Sequence, residues 1–203
     1  MKHIKSIPQE NAEVTKELTQ NQWKLLKEPS SLSITIAVSM PISIILMFLT
    51  VFYFKLLFPE SMNFLNADGL SIEFSINLKF ILYVVGILFY TFLHEMIHAL
   101  AIPNVIHSDK TFWGLNGCFG FVYSEETIKK GRFILISIMP LLVLTFVVPL
   151  VCRVLHFYHW YLLLLCVINA GGACVDIFNV ILIAKQVPAK GMIVSNGMRT
   201  LYK

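Results

Sequence analysis

The chain alternates long apolar stretches with short polar segments, and this alternation predicts its main elements. A helix needs roughly 20 residues to cross a hydrocarbon core of about 30 Å. Four apolar stretches reach that length, from about Ser33 to Phe58, Leu78 to Ile102, Phe133 to Cys152 and Trp160 to Ala184. We therefore expect four membrane-spanning helices, and we expect the third to be kinked because it contains Pro140 and Pro149.

Composition agrees with this pattern. The 203 residues are 57% hydrophobic and 14% charged, with a mean hydropathy of +0.73. A soluble domain would carry nearer a quarter charged residues, so the composition indicates a polytopic protein whose surroundings are the lipid bilayer. The net charge of +4 is mild, and the basic residues fall near the expected membrane boundaries. Lipid headgroups explain such a distribution better than nucleic acid does.

The basic residues also predict an orientation. Five lysines precede the first span, whereas residues 59–77, between the first and second spans, contain no lysine or arginine. Basic residues return after the second span, at Lys110, Lys129, Lys130 and Arg132, and after the fourth, at Lys185, Lys190, Arg199 and Lys203. Because basic segments favour the cytoplasmic side, we expect a multi-pass cell-membrane protein with both termini in the cytoplasm.

Two features are expected outside the spans. Residues from about Gln9 to Lys27 place apolar side chains loosely at helical intervals among charges, which favours an amphipathic helix on the headgroups. A poorly ordered tail is the alternative. Residues Thr111–Leu115 and Cys118–Tyr123 flank Asn116-Gly117, a favoured hairpin turn, and predict a β-hairpin that acts either as a plug or as a substrate contact.

The predicted fold class is thus an all-α membrane protein with one small hairpin between the second and third spans. Residues 1–32 form a cytoplasmic N-terminal segment with the interfacial helix. Residues 33–185 form the four-span domain, with the hairpin at about 111–123. Residues 186–203 form a cytoplasmic tail.

The second span carries the sequence His94-Glu95-Met96-Ile97-His98. On a helix this HExxH spacing puts both histidines on one face, one turn apart, where both imidazoles can bind one metal ion. Glu95 lies about 100° round the helix, near enough to activate a metal-bound water. Ionisable residues are costly in a membrane and usually functional there, so the motif predicts Zn²⁺-dependent hydrolysis.

A catalytic zinc ion usually has three protein ligands, so a third residue is needed. His94 lies about 16 residues into its span, roughly 24 Å down, and Asp176 lies about 16 residues into the fourth span, which runs the same way. Asp176 is also the one carboxylate in the third and fourth spans. It is therefore the expected third ligand, the alternative being a carboxylate bonded to a neighbouring amide or backbone group.

The sequence before Asp176 contains Asn169 and the pair Gly171-Gly172. The glycines permit either close helix packing or a local break. Asn169 is a candidate to bind a substrate carbonyl or to orient a ligand, and an interhelical bond is equally compatible with it. Phe121 of the hairpin is the second candidate substrate-binding residue.

HExxH on one span followed by an aspartate on a later span resembles the site-2 protease class of intramembrane zinc metalloproteases. The small four-span layout is more closely similar to the bacterial "putative zincin peptidase" family, over about Leu78 to Ala184. The resemblance implies that His94, His98 and Asp176 hold zinc and that Glu95 is the base. It also implies that the hairpin pairs with an unwound substrate strand.

The expected function is intramembrane endopeptidase activity on membrane-associated proteins or peptides near the cytoplasmic side. The sequence is also compatible with a regulatory membrane partner. A non-catalytic protein that binds or senses zinc, or an ion-transport subunit, is the alternative. Glu95 favours the peptidase, because storage or transport needs no base at that position. A transporter would also more naturally show internal repeats, and none is visible.

Overall fold

The structure is a computed structural model that describes residues 1–59, 77–103, 105–116 and 119–203. Within these residues the helices are α1 (Ala12–Gln20), α2 (Leu32–Leu57), α3 (Leu78–Ala101), α4 (Lys130–Pro140), α5 (Val148–Val154), α6 (Trp160–Gly172) and α7 (Cys174–Gln186). The strands are β1 (Lys2–His3), β2 (Lys24–Leu25), β3 (Thr111–Asn116), β4 (Phe119–Ser124), β5 (Ile128–Lys129), β6 (Met192–Asn196) and β7 (Arg199–Tyr202).

The prediction of four long apolar helices is confirmed within the described part of the chain. Helices long and apolar enough to cross a membrane cover Leu32–Leu57, Leu78–Ala101, Lys130–Val154 and Trp160–Gln186. Their outer surfaces expose large apolar side chains, with Phe48 71% and Leu78 72% exposed. The loop expected at 59–77 lies mostly outside the described residues.

The third long helix changes its hydrogen-bonding pattern between its two prolines. α4 ends at Pro140, residues Leu141–Val147 are π-helical, and α5 begins at Val148, one residue before Pro149. Proline lacks the N–H that continues an α-helix, and π-helical turns, although rare, occur mostly as single turns inserted within α-helices. The sequence predicted an irregularity of the helix at these prolines, and the structure has a π-helical segment there.

The fourth long helix is interrupted at Ala173, between α6 and α7. Just before the interruption, the Ser43 hydroxyl of α2 donates a hydrogen bond to the Gly171 carbonyl over 3.1 Å. A Cβ atom at Gly171 would lie 3.2 Å from the Met47 sulfur and 3.3 Å from the Ser43 hydroxyl. The glycine pair thus coincides with both features allowed by the sequence, a local break and close helix packing.

Two small sheets lie at one end of the helices, and one of them contains the predicted hairpin. Strand β1 pairs parallel with β3, and β3 pairs antiparallel with β4. Asn116 pairs with Phe119 and so ends β3, which corrects the expectation that Asn116 begins the turn. The intervening residues 117 and 118 lie outside the described residues.

The second sheet has the order β2-β7-β6-β5 and was not predicted. It joins the N-terminal segment to the C-terminal residues, since Lys24 pairs with Tyr202. Its inner face packs on the ends of α4 and α7 through a buried cluster that contains Leu26, Ile183, Val187 and Ile193. The tail expected after residue 186 is therefore mostly a β-hairpin on the helix ends.

The N-terminal helix is shorter than predicted. It covers Ala12–Gln20 instead of about 9–27, and the Asn11 side chain caps its start by accepting from the N–H groups of Glu13 and Val14. It ends before Gln22, whose φ of 67° breaks the helix. The residues that follow enter β2, so pairing with β7 replaces the last turns of the expected helix.

Candidate metal centre

The three residues expected to bind the metal converge between α3 and α7. His94 and His98 lie one turn apart on α3, and Asp176 lies in the first turn of α7. The Oδ2 atom of Asp176 is 3.3 Å from His94 Nε2 and 3.4 Å from His98 Nε2. One potential ligand atom from each residue lies within 4.8 Å of the other two. The structure therefore brings together two imidazoles and a carboxylate on separate helices.

The chemistry of this group fits zinc. Two imidazole nitrogens and one carboxylate oxygen are a common protein ligand set of catalytic zinc sites, which keep a further position open for water or substrate. His94 is buried, and His98 and Asp176 are half-buried, so they lie inside the helix bundle. A lone carboxylate there would be costly, and a divalent cation would neutralise it.

Each histidine is held through its other ring nitrogen. His94 Nδ1 lies 2.8 Å from the Asn169 Oδ1 atom, and His98 Nδ1 lies 2.9 Å from the Ile136 carbonyl oxygen. Bonds of this kind fix the tautomer and ring orientation of metal-binding histidines. Both Nε2 atoms therefore face Asp176. Asn169 itself is buried and contacts His94, a location that the sequence had left open.

Glu95 lies beside the group, on the side of α3 that faces the hairpin. The backbone N–H of Val122 interacts with the Glu95 carboxylate. The register explains this contact. Ile4 N–H donates to the Trp113 carbonyl, so the backbone polar groups of Trp113 point towards β1. Val122 is paired with Trp113, and its own groups point the opposite way, towards α3.

Three cavities border Glu95, and the smallest, of about 170 Å³, lies between α3 and α6 beside His94 and Asn169. The first of the two larger ones, which we call the sheet cavity, is about 350 Å³ and is lined by Glu95, His98 and Asp176 together with Ser195 of β6. The second, the hairpin cavity, is about 600 Å³ and lies between α3 and the hairpin. Its lining is mainly apolar and includes Leu88, Phe92, Met96, Trp113 and Phe121. Phe121 lines both larger cavities, so this candidate substrate-binding residue lies next to the metal-binding group.

Tyr123 fixes the hairpin to the second sheet. Its hydroxyl accepts a hydrogen bond of 2.7 Å from the Gly197 N–H in the turn between β6 and β7. Burial raises the pKa of Tyr123 to about 12, so the hydroxyl stays protonated at neutral pH and can also donate to the Ser195 carbonyl, 3.4 Å away. These hydrogen bonds fix the position of β4 beside Glu95.

Sequence reasoning missed two participants in the third long helix. The carbonyl of Ile136 contacts His98, and the Thr145 hydroxyl accepts a hydrogen bond of 2.9 Å from the Asn169 amide. Thr145 is fully buried. A buried threonine in an apolar span, and a carbonyl four residues before a proline, are the signals that could have indicated them.

The sequence profile of the "putative zincin peptidase" family matches residues 87–191. This is 191 − 87 + 1 = 105 of the 203 residues, just over half of the chain, and it includes both histidines, Glu95 and Asp176. No curated protein and no solved structure matches the chain. Membership of a zincin family implies zinc and a metallopeptidase role, in agreement with a ligand set of two imidazoles and a carboxylate. The chain therefore belongs to the "putative zincin peptidase" family.

Proposed function

We propose that this protein is an intramembrane zinc endopeptidase of the site-2 protease type. The observation that carries the proposal is the convergence of His94, His98 and Asp176, with Glu95 beside them on the same helix as the two histidines. A site that only stores or senses zinc needs the three ligands but has no use for an adjacent carboxylate that can act as a base.

Membrane insertion is supported by the four long apolar helices and by the apolar side chains on their outer surfaces. The orientation with both termini in the cytoplasm is supported by the two sheets. They gather the N-terminal residues, the segment after α3 and the C-terminal residues at one end of the bundle. These are the same three segments that carry most of the lysine and arginine, as expected for a cytoplasmic side.

In the proposed reaction each residue has a separate task. Zinc held by His94, His98 and Asp176 would polarise the scissile carbonyl and make the attacking water more acidic. Glu95 takes a proton from that water as it attacks the carbonyl carbon, and returns the proton to the leaving amine when the C–N bond breaks. The sheet cavity, at the end of the bundle that carries the sheets, is the proposed route for water.

The substrate is proposed to be a peptide segment of a membrane-associated protein, bound in an extended form. β4 is the last strand of its sheet among the described residues, and its outer edge faces Glu95. An extended strand added to this edge would lie across the metal-binding group, because the outward backbone groups of Val122 are already there. Peptide bonds in an intact helix are shielded, so the substrate must unwind first. A regulatory membrane partner that presents the substrate is also part of the proposal.

Phe121 supplies a test of this binding mode. We expect Phe121→Ala to lower kcat/KM by about 10- to 100-fold, because loss of a buried aromatic contact costs about 1.5–3 kcal/mol. Zinc affinity should not change, since Phe121 is not in the ligand set. The measurement is steady-state cleavage of a detergent-solubilised substrate, with Phe48→Ala, on the outer face of α2, as the matched control. Equal kcat/KM for Phe121→Ala and Phe48→Ala would exclude a substrate contact at Phe121.

The function itself is tested by looking for the cleavage. Membranes of cells expressing the wild type or Glu95→Gln are compared by mass spectrometry of protein N-termini. The proposal expects new N-termini within or next to apolar segments in the wild type alone. The absence of any fragment specific to the wild type, together with stoichiometric zinc in the purified protein, would favour a zinc-binding protein without peptidase activity.

A further inference from the structure

We infer that Pro140 is a positioning residue for both metal-binding histidines, acting through Ile136 on one and through Asn169 on the other. The inference rests on the proposal that these histidines bind zinc. The third long helix contributes no ligand to the group, yet its backbone around Pro140 contacts the His98 imidazole directly and the His94 imidazole through Asn169.

The first connection comes from the missing N–H of Pro140. In an α-helix the N–H of residue 140 would donate to the carbonyl of Ile136, four residues earlier, and proline cannot do so. His98 Nδ1 takes this place, 2.9 Å from the Ile136 oxygen. A carbonyl oxygen only accepts hydrogen bonds, so Nδ1 carries the proton and Nε2 presents its lone pair towards Asp176.

The second connection comes from the carbonyl of Pro140. The Nδ2 atom of Asn169 lies 3.4 Å from this oxygen and 2.9 Å from Thr145 Oγ1. Because the carbonyl accepts only, the NH₂ group of the amide lies on this side and Oδ1 faces His94 Nδ1. His94 therefore also donates from Nδ1, which leaves its Nε2 lone pair for the metal.

A similar arrangement recurs at the other proline of the same helix. The π-helical pattern pairs Val148 N–H with the Val143 carbonyl, five residues earlier. Pro149 cannot make the next bond, to Leu144, and the Tyr90 hydroxyl donates to that carbonyl instead, over 2.6 Å. Tyr90, His94 and His98 follow one another at intervals of four residues and so share one face of α3. Each proline thus leaves one carbonyl without its helical N–H partner. Side chains on this face of α3 form hydrogen bonds to these two carbonyls instead.

The test measures zinc affinity of the purified full-length protein in detergent by competition with a chelator. Pro140→Ala restores an N–H that competes with His98 for the Ile136 carbonyl. We expect its zinc dissociation constant to rise about tenfold, within the roughly 10- to 100-fold range seen when such supporting bonds are lost. Its metal-free thermal stability should equal or exceed that of the wild type, because alanine is a far better residue inside a helix. Pro41→Ala, in the middle of α2, is the matched control.

Two further substitutions separate positioning from general damage. Thr145→Val keeps the shape but loses the hydroxyl that holds Asn169, and should weaken zinc binding about tenfold and alter the visible spectrum of the Co²⁺-loaded protein. Asn169→Leu, which loses the acceptor for His94 Nδ1, should weaken zinc binding by about 10- to 100-fold.

The outcomes are distinct. If Pro140→Ala folds and binds zinc as the wild type does, the positioning inference is wrong while the proposed function stands. Should Pro140→Ala fail to fold, Pro140→Ser, which restores the same N–H, takes its place, and unchanged zinc binding in that variant equally overturns the inference. A wild-type protein that binds neither Zn²⁺ nor Co²⁺ would overturn the proposed function and this inference together.

Discussion

Glu95→Gln is expected to bind zinc as tightly as the wild type and to have almost no peptidase activity. Glutamine has the shape of glutamate and can still accept the interaction from Val122 N–H, but it cannot take a proton from water. General acid–base catalysis contributes about 10²- to 10⁴-fold to a rate, and loss of both proton transfers should lower kcat by at least that much. Zinc content by elemental analysis and single-turnover cleavage of a membrane peptide check the two halves of the expectation.

The matched control is Glu13→Gln, an equal chemical change at an exposed position of α1, outside the metal-binding group. Its zinc content and cleavage rate should both equal those of the wild type. Full activity in purified Glu95→Gln would rule out Glu95 as the base. Loss of zinc from that variant would instead place the Glu95 carboxylate among the zinc ligands, beside His94, His98 and Asp176.

The ligand group was accessible to sequence reasoning because it depends on features that helices in a membrane make regular. The spacing of His94 and His98 fixes them on one face of a helix, and helix length alone converts position along a span into depth. Equal depth and parallel direction then singled out Asp176. The structure places these three side chains together, as that reasoning expected.

The second sheet was not accessible in the same way. Its strands are two to five residues long, and β2 near the N-terminus pairs with β7 near the C-terminus. Strands this short carry little periodicity, and a pairing between distant segments leaves no local pattern. The same pairing explains the early end of α1, because the residues after Gln20 gain more from the sheet than from further turns of an exposed helix.

The hydrogen bonds to the Nδ1 atoms of His94 and His98 could be predicted only in part. Pro140 and Pro149 predicted an irregular third helix, and the π-helical segment agrees with that. Which side chains use the freed carbonyls depends on how α3 and α6 pack against that helix. Sequence reasoning had no register for that packing, so it could name Asn169 but could not choose between a substrate contact and a bond to His94.

Asp176→Asn is expected to abolish zinc binding without lowering the stability of the metal-free protein. A ligand contributes more than the supporting bonds whose loss costs about 10- to 100-fold, so the dissociation constant should rise more than 100-fold. The neutral amide is cheaper to bury in the helix bundle than the carboxylate, so the metal-free variant should unfold no more easily. The two effects therefore have opposite signs, which a merely structural carboxylate would not produce.

Thermal unfolding at a fixed zinc concentration reads out both effects. At a free zinc concentration 100 times the wild-type dissociation constant, binding stabilises the wild type by about 2.7 kcal/mol. A variant that binds more than 100-fold more weakly gains at most about 0.4 kcal/mol under the same conditions.

Asp109→Asn, a change of the same kind at an exposed loop carboxylate paired with Lys2, should keep the full zinc-induced shift. If Asp176→Asn also kept that shift, the two histidines would need a different third ligand. If its metal-free form were much less stable than the wild type, Asp176 would act mainly as an ion-pair partner of protonated His94 and His98.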